Sequence, residues 1–124
     1  MEIPEKAKEI LKHEGVVAIA TQGKDGPHLI NTWHSNIQLT ATGNLLIPAG
    51  GMKRTEENLL KDNRIVATIG NREVTGMRGL GAGFLINGTA KFLISGNQYD
   101  LVKKKFPWAR AALEITINSV EQTI

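Results

Sequence analysis

The chain opens on a helical period and then changes to strands. Ile3, Ala7, Ile10, Leu11 and Glu14 recur three or four residues apart, a mainly apolar stripe that predicts a short helix. Pro4 suits its first turn, where a missing N–H costs nothing, and Gly15 suits the position just past its end. Val16-Val17-Ala18-Ile19-Ala20 is apolar and β-branched, a strand pattern. Gly23-Lys24-Asp25-Gly26-Pro27 turns it, with Asp25-Gly26 as the strongest hairpin signal. The return run alternates: Leu29, Asn31, Trp33, Ser35, Ile37 and Leu39 share one face, and His28, Ile30, Thr32, His34, Asn36 and Gln38 the other. Thr42-Gly43-Asn44 leads into a third strand, Leu45-Leu46-Ile47-Pro48, where Pro48 lacks a donor and belongs at a strand end or sheet edge.

Ala49-Gly50-Gly51 breaks this pattern. Thr55 then caps a second helix running through Asp62, with Glu56 and Glu57 in its first turn, where negative charge is favoured. Ile65-Val66-Ala67-Thr68-Ile69 predicts a fourth strand, and Gly76, Gly79, Gly81 and Gly83 a loop. Residues 84–94 read as a long strand with a bulge at Gly88. Residues 97–106 read as a helix stopped by Pro107, and Leu113, Ile115 and Ile117 alternate along a last strand. Six strands, three short helices and early hairpins, without the crossover that parallel pairing needs, predict a mostly antiparallel barrel. The length fits one domain over residues 1–124.

Composition removes several functions. With no cysteine, disulfides, thiolate metal sites and a cysteine nucleophile are excluded. A net charge of +3 is too mild for a nucleic-acid binder, and the one basic run, Lys103, Lys104 and Lys105, reads as a solvated helix face. No stretch is apolar enough to span a bilayer, and residues 1–6 lack the apolar core of a signal peptide, so a cytoplasmic protein is expected. His28 and His34 are too far apart along a strand to hold one metal, and no Gly-x-Ser-x-Gly elbow is present.

Four segments carry candidate chemistry. Gly50-Gly51-Met52-Lys53-Arg54-Thr55 joins a strand to a helix start. Glycines there admit close approach to an anion, the helix end offers unpaired N–H donors, and Lys53, Arg54 and Thr55 add charge and a hydroxyl. It reads as a phosphate cradle or as a plain capped turn with two exposed bases. Asn31-Thr32-Trp33 can read the edge of a flat heterocycle, or Trp33 can be a core residue beside ordinary strand polars. Trp108, after a helix stop, can stack on a ring, sit in an interface or pack across the helix end. The glycines of 76–83 do not make a dinucleotide fingerprint, because Phe84 stands where its last glycine belongs and a strand follows. A tight loop near a ligand or partner is the better reading.

Several segments together resemble a known family. The run from Gly15 to Gly23, then Asp25-Gly26-Pro27-His28-Leu29-Ile30-Asn31-Thr32-Trp33, resembles the opening hairpin of the FMN-binding split barrels, the pyridoxamine 5′-phosphate oxidase-like superfamily. Gly50-Gly51-Met52, Thr55-Glu56 and Asn58 are similar to that family's phosphate segment. Gly83-Phe84-Leu85-Ile86, Trp108-Ala109-Arg110-Ala111-Ala112-Leu113 and Glu121-Gln122-Thr123 resemble a narrower group, the small bacterial FMN-binding proteins. The resemblance implies a six-stranded antiparallel split β-barrel with Greek-key connections, forming a homodimer with flavin mononucleotide (FMN) near the interface. It implies the phosphate on Gly50, Gly51, Arg54 and Thr55, with Lys53 as the competing base, since relatives carry lysine where this chain has Arg54. It places the ring along Asn31, Thr32 and Trp33, near Pro48, Ala49 and Trp108, with Ile124 approaching from the partner chain. The function implied is electron transfer with a redox protein partner. The alternatives are an NAD(P)H-dependent flavin reductase or an oxidase-like enzyme. Full oxidases of the superfamily carry an extra C-terminal segment that has no counterpart before Ile124.

Overall fold

The structure, a computed structural model, describes residues 2–124; Met1, part of the segment read above for a signal peptide, lies outside the described residues. In chain order the elements are α1 (Glu5–Leu11), β1 (Val16–Gly23), β2 (Gly26–Trp33), a 3-10 turn (His34–Asn36), β3 (Gln38–Leu39), β4 (Leu45–Ala49), α2 (Lys53–Lys61), β5 (Arg64–Thr75), β6 (Leu80–Leu93), α3 (Asn97–Lys105) and β7 (Ala111–Gln122). All pairings are antiparallel, in the order β2-β1-β5-β6-β7-β4-β3. The two edge strands, β2 and β3, are joined by the 3-10 turn, so the sheet curls almost back onto itself. That is the split barrel expected, with seven strands rather than six.

The seventh strand comes from a break in the run 28–39. Alternation alone predicts one strand there, but Glu14 intervenes. Its carboxylate accepts from the Ser35 amide at 3.1 Å and the Ser35 hydroxyl at 2.5 Å, pulling that segment into a turn. β2 stops at Trp33, and the two-residue β3 resumes against β4, with Gln38 opposite Leu46 and Leu39 opposite Leu45. His28 and His34 therefore do not share a strand face.

The core fills the barrel. Ile3, Ala7 and Ile10 from the α1 region close over Val17, Ile19, Ile47, Ile65, Ile69, Phe84, Ile86, Leu113 and Ile115. Each valine, leucine, isoleucine or phenylalanine so buried contributes about 1.5–3 kcal/mol. A second cluster lies under α3, where Leu46, Val102, Ala109 and Ala112 pack with Tyr99 and Phe106. The basic run of α3 is not wholly solvated: Lys103 donates to the Ala109 carbonyl at 2.7 Å, and Lys105 lies 5.5 Å from the Phe106 ring centroid.

Two glycines serve contacts that their neighbours in sequence do not reveal. α1 ends at Leu11, so Gly15 is not its C-terminal cap. A Cβ on Gly15 would lie 2.7 Å from His34 Cε1 and 2.9 Å from the Gly70 carbonyl oxygen. The irregularity expected at Gly88 is present, but its extra residue is Asn118 on β7, since Asn87 pairs with Ser119 and Gly88 with Ile117. A Cβ on Gly88 would collide with the Thr116 carbonyl oxygen at 2.2 Å. Of the expected glycine loop, Gly76 and Gly79 form the β5–β6 hairpin end, closed by Gly76 N–H to Gly79 O at 2.7 Å, whereas Gly81 and Gly83 belong to β6. Among the described residues no helix is long and apolar enough to cross a membrane.

Candidate functional site

β4 ends at Ala49, paired with Ala111 of β7, and its proline sits one residue earlier, beyond the reach of β3's short ladder. Pro48 thus lies near the strand end, opposite Ala112 of β7 and past the last residue that β3 covers, a place where a missing donor is tolerated. Gly50 and Gly51 then turn the chain into α2 with both residues exposed. A Cβ on Gly50 would stand 3.3 Å from Trp108 Cζ3, so the bare backbone of this corner lies directly beside the indole. Trp108 is 58% exposed and meets Phe106 edge-on, with centroids 5.7 Å apart. It packs across the helix end and still presents a free face.

Thr55 does not cap α2. The N-cap is Met52, in the left-handed region at φ 60°, with no side-chain cap. A methionine there costs about 1–2 kcal/mol relative to ordinary helical backbone. The first amide at this end with a protein acceptor is that of Glu56, bonded to the Met52 carbonyl at 3.0 Å. The amides of Lys53, Arg54 and Thr55 thus remain open donors, as a helix start without a cap leaves them. Thr55 is fully buried in the first turn, and its hydroxyl has no partner among the described residues. A buried polar atom of this kind costs free energy until something pairs with it. Lys53 and Arg54 are exposed, and neither makes an ion pair among the described residues. Arg54 also borders a cavity of about 530 Å³ between the β1–β2 turn and α2, which Lys53 does not line.

α2 is tied to the barrel by a buried bond from Asn58 Nδ2 to the Thr21 hydroxyl, 3.1 Å. From the other side, Arg110 holds the corner itself. Its Nε and Nη2 donate to the Gly51 carbonyl at 3.0 and 2.7 Å, and Nη2 lies 3.0 Å from Glu56 Oε1. Nothing local in the sequence marks Arg110 for this role; the contact spans 59 positions.

The tryptophan-bearing strand is split between two faces. Asn31 and Trp33 are exposed, Trp33 by 51%, which sets aside the core reading of this tryptophan. The Thr32 side chain points to the opposite, buried face and accepts from Asn36 Nδ2 at 3.2 Å. Ile124 is 57% exposed but sits elsewhere, against Gly83 and over a cavity shared with Glu14 and Gly15. One chain therefore gathers Pro48, Ala49, Gly50, Gly51, Lys53, Arg54, Thr55 and Trp108 at one corner and leaves Ile124 apart.

The Glu14 end is internally paired. Hydrogen bonds from the Ser35 hydroxyl and then the Ser35 amide hold the Glu14 carboxyl below its ordinary value of 4.5. His34 is buried, with Nδ1 donating to the His13 carbonyl at 2.7 Å and Nε2 facing the Gly70 amide at 3.4 Å. These bonds make His34 a structural residue.

The arrangement has known counterparts. The family model described as pyridoxamine 5′-phosphate oxidase matches residues 3–124. A protein of Nitratidesulfovibrio vulgaris (strain DSM 19637 / Miyazaki F), named FMN-binding protein, is 51% identical over 116 residues, 94% of each chain. Of solved structures, HupZ of Group A Streptococcus aligns with a TM-score of 0.80 at 18% identity, covering 97% of this chain and 93% of that one. An FMN-binding protein from Syntrophomonas wolfei subsp. wolfei aligns with a TM-score of 0.73 at 15% identity, covering 97% and 85%. At such identities the two structures speak to the fold alone.

Proposed function

The chain belongs to the pyridoxamine 5′-phosphate oxidase family, and on that footing we propose that it binds one FMN per subunit and carries electrons through it. The observation that carries this reading is the uncapped start of α2, with open amides, two unpaired bases and the partnerless Thr55 hydroxyl. Such a group of donors fits a phosphate monoester, which brings negative charge and several acceptor oxygens to a helix's positive end. Lys53 and Arg54 add charge from outside, and Gly50 lets the ligand approach the backbone beside Trp108. Asn31 and Trp33 supply an amide and an aromatic surface for a flat ring; Thr32 contributes through its backbone, since its side chain faces inward. Bound FMN would supply the redox chemistry.

A homodimer belongs to the same proposal. Trp33, Trp108 and Ile124 are all more than half exposed. Ile124 of one copy would complete the ring site of the other, consistent with its distance from its own corner.

Titration of the purified protein with FMN and with riboflavin tests the assignment. The expected result is one FMN per chain and clearly weaker riboflavin binding. Lys53→Ala and Arg54→Ala would each weaken FMN by about tenfold, the worth of one charged hydrogen bond. Equal affinity for the two flavins, or none for either, overturns it. Under anaerobic conditions, reduction by dithionite with little bleaching by NADH or NADPH supports a carrier. Rapid bleaching by either nucleotide replaces the carrier with a flavin reductase.

A further inference from the structure

Arg110 stands outside the donor set described above, yet it touches the corner at three points. Its amide donates to the Ala49 carbonyl at 2.8 Å. Its guanidinium holds the Gly51 carbonyl through two nitrogens and pairs with Glu56. The planar group also lies over Phe92, 5.6 Å from the ring centroid, which limits its movement.

These bonds have a directional consequence. In a trans peptide the carbonyl and the following N–H point opposite ways, and no peptide bond among the described residues is cis. With the Ala49 carbonyl turned toward Arg110, the Gly50 N–H faces away from β7. With the Gly51 carbonyl held by the guanidinium, the Met52 N–H faces away from Arg110. Neither amide has an acceptor among the described residues. The two carbonyls are thus drawn to one side, and their neighbouring N–H groups open on the other.

Two further observations point to a corner held in place. Met52 is the one non-glycine residue with positive φ among the described residues. Such backbone persists where its surroundings impose it. Glu56, acidic and one turn into α2, has its carboxylate 3.0 Å from Arg110 Nη2.

We propose that Arg110 is a positioning residue for phosphate recognition: by gripping the Gly51 carbonyl and Glu56 together, it keeps the corner's amides facing the ligand. This rests on the reading that the corner takes the FMN phosphate. The task takes two adjacent nitrogens in one plane: Nε and Nη2 both hold the carbonyl, and Nη2 also reaches the carboxylate. A lysine at this position would keep the charge and lose that geometry.

The test compares FMN with riboflavin, which lacks the phosphate, in the wild type and in Arg110→Lys, Arg110→Met and Glu56→Met. Positioning predicts that both Arg110 variants bind FMN about tenfold more weakly while riboflavin binding is unchanged. It also predicts that Glu56→Met binds FMN more weakly, although the variant removes a negative charge near the phosphate. Wild-type FMN affinity in Arg110→Lys would overturn the proposal, because charge alone would suffice. Tighter FMN binding by Glu56→Met would overturn it as well, because the local field would outweigh the grip. A parallel loss of both flavins in Arg110→Lys would assign the residue to folding instead. A wild type that does not prefer FMN removes the functional reading itself and this inference with it, whatever the variants do.

Discussion

Two corners of this barrel are rich in polar groups and differ in one respect. At the Glu14 end, the carboxylate, the Ser35 hydroxyl, the Ser35 amide and both His34 nitrogens find partners inside the chain. At the α2 start, the amides of residues 53–55 and the Thr55 hydroxyl find none among the described residues. The folding of this chain accounts for the first set completely. The second set is left over, and a buried polar group left over is a place for something that is not protein. Polar richness alone does not separate the two corners; what separates them is that a partnerless buried hydroxyl, open amides and two unpaired bases coincide at the start of α2.

The contrast makes different demands on stability and affinity. The largest effect belongs to the closed corner. His34→Ala removes a buried ring and two hydrogen bonds, and is expected to destabilise the protein by about 3 kcal/mol in urea unfolding. FMN should still titrate normally into the folded fraction. Loss of FMN affinity without loss of stability would make His34 part of the site and end the contrast.

Thr55→Val probes the open corner and is expected to move the two quantities in opposite directions. Without ligand the variant should be no less stable than wild type, because a hydroxyl with no partner is replaced by a methyl group of similar shape. FMN affinity should fall by about tenfold. A destabilised ligand-free variant with unchanged affinity would show that the hydroxyl is already satisfied by the fold.

The smallest effect concerns acid. Since the folded structure holds the Glu14 carboxyl below its ordinary value of 4.5, the ionised form is favoured on folding. That contribution is complete above about pH 4.5 and is lost as pH falls through the folded value. Glu14→Gln should therefore flatten the acid limb of the stability profile. Asp62, lowered to about 2 from 3.8 by its hydrogen bonds with Arg64, acts in the same direction and should remain as the residual slope. An acid limb unchanged in Glu14→Gln would deny the Ser35 bonds any share.

What the sequence disclosed followed the range of the interaction. The first hairpin was legible because alternation and a turn dipeptide are local, and residues 50–55 were legible because glycines, bases and a helix start lie side by side. The cap was misread. Thr55 has the right chemistry, but the chain starts α2 earlier by placing Met52 in an unusual conformation, which propensity does not foretell. The break after Trp33 was invisible because its cause, Glu14, lies 21 residues upstream of Ser35. Gly15 looked like a helix terminator and is instead a space for the His34 ring. Arg110 stood out only as part of the resembling run 108–113; its role gave no local signal, since its partners meet it only after the sheet has formed.

The meeting of β2 and β3 at the two ends of one sheet has a consequence for motion. Every other strand has a neighbour on both sides over at least part of its length, whereas these two each leave an outer edge free, and the short His34–Asn36 turn links them. When the wall breathes, it should part along that line. In deuterium exchange, outer-edge amides of β2 should exchange first and those of β5, β6 and β7 last. A molecule needing entry to the barrel wall would find its natural hinge there, beside Trp33.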